Sequence, residues 1–136
     1  VEVTAMLAEL VSYLAAQGVG TPGVDLFQGA MPHEPDAALV LQRYPGIMNI
    51  PERGDPPSVA VERPRVQVLA RAPHPAQAEA RAQAAYRALI RLANQRLGAT
   101  WYLRAEPLQA PFDLGRDDAG RWLVGFNVQI EKGLAP

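Results

Sequence analysis

His33 and His74 are the two histidines of the chain, and each sits in a proline-flanked turn context, MPHEP and APHPA. A metal site needs a third ligand converging on the ion, and their spacing supplies none, so ordinary surface histidines are the simpler reading. His33 and Glu34 stand side by side as an acid and a base would. Adjacent side chains do not usually converge on one substrate atom, and no activated nucleophile is marked nearby. Asp113, Asp117 and Asp118 offer carboxylates, but the last two lie in the turn-like RDDAG, where aspartate commonly bonds backbone amides. Gly18-Val19-Gly20 does not open a helix after a strand, so it is not a phosphate-binding loop. Ser12 and Ser58 sit on no nucleophile elbow. The chain has no cysteine, which excludes thiol catalysis, disulfides and thiolate metal sites. These residues point away from an enzyme and imply no cofactor. A site assembled from distant carboxylates is the reading that stays against this.

The arginines are the other chemically rich group. Arg81, Arg87 and Arg91 fall along the polar side of a long helical pattern, and Arg63, Arg65 and Arg71 crowd the strand before it. With a few aromatics they would make a phosphate footprint, so a small nucleic-acid binding module is one reading. A solvated face is the second, and subunit contact is the third, because the guanidinium fork pairs well with carboxylates. Net charge is -1, from thirteen basic and fourteen acidic residues. That offers no large positive field for nucleic acid and little repulsion between copies.

The elements that would position these groups follow from periodicity. Val3, Met6, Leu7, Leu10 and Leu14 make a helical stripe over Val3 to Gln17, stopped by Gly18 and Gly20. No signal peptide is expected there, since the segment has no basic leader and carries Glu2 and Glu9. No run reaches the roughly 20 apolar residues of a membrane span. Val24 to Ala30 and Ala37 to Tyr44 (AALVLQRY) read as strands, the second apolar on both faces. Pro45 to Pro57 is a proline-rich excursion. Ser58 to Ala72 holds two extended pieces, around SVAVE and RPRVQVLAR, with Val66, Val68 and Ala70 on one face. Pro75 to Leu97 predicts a long helix with the stripe Ala78, Ala82, Ala85, Tyr86, Leu89, Ala93 and Leu97, closed by Gly98. Ala99 to Ala105 is a strand, interrupted by Pro107, with Leu108 to Leu114 read as continuing its path beyond a bend. RDDAG then turns the chain into the strand Arg121 to Lys132, with Trp122, Val124, Phe126, Val128 and Ile130 on one side.

The sum is α+β: two helices packed on one face of a mostly antiparallel sheet, a single domain over 1–136 with an excursion at 45–57. Tyr102, Leu69, Leu123, Leu39 and Leu41 are expected on the face away from the helices. Such a face is more apolar than a monomer wants, and a neighbouring subunit or the excursion would cover it.

This order, with LFQGAMPHEPDAALVLQRYPG, RPRVQVLAR and its following helix, and the closing GRWLVGFNVQIEK, resembles the small tail-terminator, or tail-completion, proteins of long-tailed bacteriophages. These are also grouped with minor capsid proteins. The resemblance spans nearly the whole chain through hydrophobic patterns and scattered identities. It implies a non-enzymatic late protein of the virion neck, assembled in the host cytoplasm, with no cofactor and no membrane partner. It implies a homo-oligomeric ring, a hexamer, that caps the tail tube protein and meets the head–tail connector protein. DNA would pass through the channel without specific binding. Another head–tail joining or minor capsid role is the alternative within the same setting. For subunit or tube contact the candidates are Leu39, Leu41, Arg43, Pro51, Arg53, Leu69, Arg71, Tyr102, Arg104 and Leu123.

Overall fold

The computed structural model describes residues 2–44 and 61–133. The expected excursion at 45–57, with Pro51 and Arg53, lies outside the described residues, as does most of the SVAVE piece. In chain order the elements are α1 (Glu2–Ala16), β1 (Leu26–Gln28), β2 (Ala38–Tyr44), β3 (Val61–Glu62), β4 (Arg65–Ala72), α2 (Pro75–Ile90), β5 (Ala93–Leu97), β6 (Thr100–Pro107), β7 (Phe112–Arg116) and β8 (Trp122–Gly133). The class is α+β.

The sheet is mixed. Its path runs β1-β2-β4-β8-β6-β5, with β3 and β7 added along β8. β1 lies parallel to β2, and the other pairings of the path are antiparallel. The expectation of a mostly antiparallel sheet is corrected to a mixed one. The Gly29-to-Ala37 connection brings the chain back beside β1 in the same direction, which a short hairpin could not do.

Register fixes the faces. Leu39, Ala70 and Val124 form one cross-strand row, and Leu41, Val68 and Phe126 form the next. All six are buried in one cluster with residues of both helices. α1 contributes Met6, Leu7, Leu10, Val11, Tyr13 and Leu14, and α2 contributes Ala78, Ala82, Ala85, Ala88 and Leu89. The alanines allow α2 to approach the strands closely. Tyr86 then stands edge-on to Phe126, with ring centroids 5.5 Å apart. Leu39 and Leu41 therefore belong to this core and not to the opposite face. In AALVLQRY both parities are apolar, and only pairing decides which side is covered.

α1 ends as its glycine predicts. Gly18 has φ 81, Gly18 N–H donates to Ala15 O at 3.0 Å and Val19 N–H to Leu14 O at 3.0 Å. That bond pair closes the helix in a Schellman motif. α2 starts at Pro75 as expected but stops at Ile90, seven residues short of Leu97. Leu92 is buried at 1% exposure, and Asn94 takes φ 48, which breaks the helical path. Residues 93–97 then pair with β6. Gly98, at φ 58, serves the two-residue turn between β5 and β6, where a first-position glycine is favoured; it does not close a helix.

Tyr102 also departs from its expected side. It was expected to face away from the helices, opposite Ala105 in the strand alternation. Register shifts between Tyr102 and Arg104, so that Tyr102 opposes Lys132 and Arg104 opposes Glu131. Such a bulge inserts one residue and inverts the alternation. Tyr102 and Ala105 are both in the buried cluster. The Tyr102 hydroxyl donates to Glu9 Oε1 at 2.7 Å, and burial, then that bond, pushes its pKa well above the usual phenol range.

Candidate functional site

The other face of the sheet carries the odd-numbered residues of β4 and β8. Val40, Leu69 and Gly125 form one row, Ala38, Arg71 and Leu123 the next. Gly125 has a local reason. A Cβ there would stand 2.6 Å from Val68 O, 3.1 Å from Leu114 Cδ1 and 3.4 Å from Leu69 Cδ1. Without it, Leu69 and Leu114 close over the strand from either side. Phe112 opposes Gly125 across the β7–β8 pair. Phe112 and Leu114 are each 39% exposed, and Leu69 and Leu123 are half-buried. Of the apolar residues expected on this face, Leu69 and Leu123 are there, joined by Phe112 and Leu114, which periodicity did not single out.

Further along, this face turns polar. Arg65 Nε meets Gln129 Oε1 at 3.5 Å. Arg104 Nη2 lies 3.1 Å from Glu131 and 3.5 Å from Glu106, and Arg63 lies 3.9 Å from Glu131. Arg104 is thus exposed and paired. Arg43 is not on this face: it follows Leu39 and Leu41 in register, on the core side, and is exposed at the end of β2.

Arg71 has a different role from the contact expected of it. It is 4% exposed, and Arg121 beside it is 8% exposed. The Arg71 guanidinium donates to the carbonyl oxygens of Asp36 at 3.3 Å, His33 at 3.3 Å, and Pro35. Arg121 Nη1 donates to the same His33 carbonyl and lies 3.3 Å from Asp36 Oδ1. Its Nε donates to Asp117 Oδ2 at 2.8 Å. Asp117 also accepts the backbone N–H groups of Ala119 and Arg121 at 3.0 and 2.9 Å, the aspartate-turn bonding predicted for RDDAG. Against desolvation, which raises it, the Arg121 and Ala119 bonds hold the Asp117 carboxyl below the usual carboxylate range. Burial, then the neighbouring Arg121 charge, lowers the pKa of Arg71. Two guanidiniums therefore fix the 33–36 turn to the sheet.

That turn walls an open cleft of about 600 Å³ beside β1, lined by Val24, Phe27, Pro32, Glu34, Pro35 and Arg81 among others. Arg81 Nη2 is 2.6 Å from Asp25 Oδ2. Desolvation opposes it, but the Thr21 amide and Arg81 keep the Asp25 carboxyl below its ordinary value.

The six arginines weighed as a phosphate footprint do not share one surface. Arg71 is inside, Arg81 pairs with Asp25, Arg63 and Arg65 join the strand-face ladder, and Arg87 and Arg91 are exposed at the end of α2. Arg116 lies over Trp122, 4.4 Å from the ring centre. The histidines do not converge, since His33 meets the fold through its carbonyl and His74 caps α2 without a side-chain bond. Among the described residues no cluster of three or more His, Asp or Glu is set to hold a metal ion, and no helix is long and apolar enough to cross a membrane. Sequence reasoning missed Glu9, Asp36, Asp25 and Arg121 as structural partners. The Asp117-to-Arg121 spacing around a turn was the one signal available.

The fold is similar to that of a chain in a solved structure described as "Virion of native gene transfer agent (GTA) particle". The TM-score is 0.64 at 17% identity, covering 96% of this chain and 97% of that chain. No curated protein matches the chain. The family model described as "Bacteriophage tail terminator protein" matches residues 13–132, and the chain belongs to that family, a structural family of the phage tail.

Proposed function

We propose that this chain closes into a hexameric ring that caps the phage tail tube, ends its polymerisation and joins it to the head connector at the neck. The whole of 1–136 acts as one domain, with both helices covering one face of the sheet and the 45–57 excursion, through Pro51 and Arg53, reaching a neighbour or the tube. The observation that carries this reading is the opposite face, where Leu69 and Leu114 close over Gly125, Phe112 stands opposite it on β7, and all three stay partly bare. A contiguous apolar strip of that kind marks a surface that a partner protein covers.

The role lies in surfaces and not in a reactive pocket, so the chain is neither an enzyme nor a cofactor carrier. Its buried and half-buried charges support this, because Arg71, Arg121, Asp117 and the Asp25–Arg81 pair bond within the fold. DNA passes through the ring channel without specific binding. The ring is assembled in the host cytoplasm and resides in the virion.

Tail tubes polymerised with and without the purified chain, viewed by electron microscopy, test the reading. Tubes should stop growing and carry a sixfold ring at one end. Tubes that keep lengthening, with the chain left in solution, overturn it. Capture by filled heads but not by tubes selects another head–tail joining role instead.

A further inference from the structure

The path of the sheet ends in two unlike ways. At one end, Ala93, Asn94, Gln95 and Arg96 of β5 are all exposed, and the far side of β5 pairs with no strand among the described residues. Arg87 in the last turn of α2, Arg91 at its C-cap and Arg96 on the strand are exposed. None has a carboxylate partner among the described residues. Arg96 on the strand, with Arg87 and Arg91 on the helix that leads into it, makes this corner cationic, Arg91 donating also to Gln17 Oε1 at 3.5 Å.

At the other end, strand addition is blocked. Leu26 N–H donates to Thr21 O at 3.2 Å, and Leu26 O accepts from Gly23 N–H at 3.0 Å, so a turn covers the outer side of β1. What this end offers is side chains. Val24 is 61% exposed and lines the cleft with Phe27, Pro32 and Pro35. Glu34 stands on the same cleft, exposed and without an ion pair among the described residues. The cation in the cleft, Arg81, is already bonded to Asp25 at 2.6 Å.

Two unlike, complementary ends repeat head to tail, and such contacts close into rings when the rotation permits. An arginine suits the cleft, since its apolar stem can lie on Val24 and Phe27 while its fork meets a carboxylate. The geometry points to the cleft beside β1 of one subunit receiving the β5–α2 corner of a second copy, with Arg96 paired to Glu34. This rests on the ring reading and adds to it which two surfaces of the chain meet. The receiving turn is already fixed, because Arg71 and Arg121 hold its carbonyls. Docking then pays little for ordering.

The absence of cysteine makes the test direct. Val24→Cys and Gln95→Cys together, oxidised in the assembled state, should give a ladder of covalent species rising to the ring mass, and each single variant should give none. Glu34→Arg and Arg96→Glu should each lower the assembled fraction about tenfold or more, as like charges at a contact cost several kcal/mol. An equal mixture of the two variants should recover assembly, because alternating subunits set opposite charges at every junction. Dimers from Val24→Cys alone overturn the inference. So does a ring that gives no 24-to-95 link and ignores both charge reversals, while leaving the ring reading standing. A chain that stays monomeric by light scattering, and does so beside tail tubes as well, overturns both.

Discussion

Under α2 the sheet is covered by hydrocarbon, with Ala82, Ala85 and Leu89 meeting rows of valine and Phe126. On its other face, where Arg71 stands opposite Ala38 and Leu123, the cover is a turn held by two guanidiniums. The first region is close-packed and indifferent to direction, so it resists loss of volume and little else. The second depends on donors aimed at particular carbonyls, so it resists rotation of a loop. The pairing suits a structural protein of the phage tail, since the apolar core keeps the strands together while the polar anchor sets where the 33–36 turn points.

The largest effect that would sharpen this contrast is in the core. Phe126 is 1% exposed and carries the edge contact with Tyr86. Phe126→Ala should lower unfolding free energy by about 3–5 kcal/mol, read by denaturant unfolding, with the slope unchanged. A loss below about 1 kcal/mol would show that the helices do not depend on this packing.

The anchor comes next. Arg71→Ala removes three charge-assisted bonds to the 33–36 turn but also relieves the repulsion with Arg121. Its expected cost is about 2 kcal/mol. Arg71→Met keeps the apolar stem and should not recover that cost. Backbone amide exchange of residues 33–36 should quicken in both variants while the α2 amides keep their protection. Recovery by methionine would mean that Arg71 acts by bulk, and the two regions would then be alike.

How far the sequence carried depended on whether a side chain's role is local. The alternation of Val66, Val68 and Ala70 with the Trp122-to-Ile130 series sufficed to place the central strands. So did Gly18 for the end of α1 and Pro75 for the start of α2. Ala93 and Leu97 kept helical spacing, yet a hairpin with β6 took them, because pairing is a long-range gain that periodicity does not contain. One bulge turned Tyr102 inward. Arg71 looked like a surface arginine because nothing in RPRVQVLAR shows that a turn 35 residues earlier would supply its acceptors. The apolar strip was half legible: Leu69 and Leu123 by alternation, Phe112 and Leu114 not, since Pro107 and Pro111 break the pattern before them.

A smaller effect tests how α1 is tied to the β5–β6 hairpin. Gly98 has φ 58, and a Cβ there would lie 2.7 Å from Glu9 Oε2, the carboxylate whose other oxygen accepts from Tyr102. Gly98→Ala should cost about 1–2 kcal/mol through backbone strain and displacement of Glu9. In a Glu9→Ala background, compared with Glu9→Ala alone because that change also removes the acceptor of Tyr102, Gly98→Ala should cost less only by the part due to crowding. No remaining cost in that background would remove strain from the account.

The smallest effect is the Asp25–Arg81 pair at the cleft, partly exposed at 2.6 Å, for which about 0.5–1 kcal/mol is expected. Its signature is in pH. The folded chain holds the Asp25 carboxyl below its ordinary value, so the unfolded chain binds the proton first as pH falls. Stability from this group is fully present above the unfolded carboxylate pKa, about 4, and is lost as pH drops through the lower folded value. Asp25→Asn should therefore be less stable than the parent at pH 7, and the gap should narrow below about pH 4. A gap that stays constant down to pH 2 would show that Asp25 acts through its bond with the Thr21 amide, which asparagine can keep in part, and not through its charge. In that case the cleft would be held as the Arg71 anchor holds its turn, by aimed hydrogen bonds, and its rigidity would not weaken with added salt.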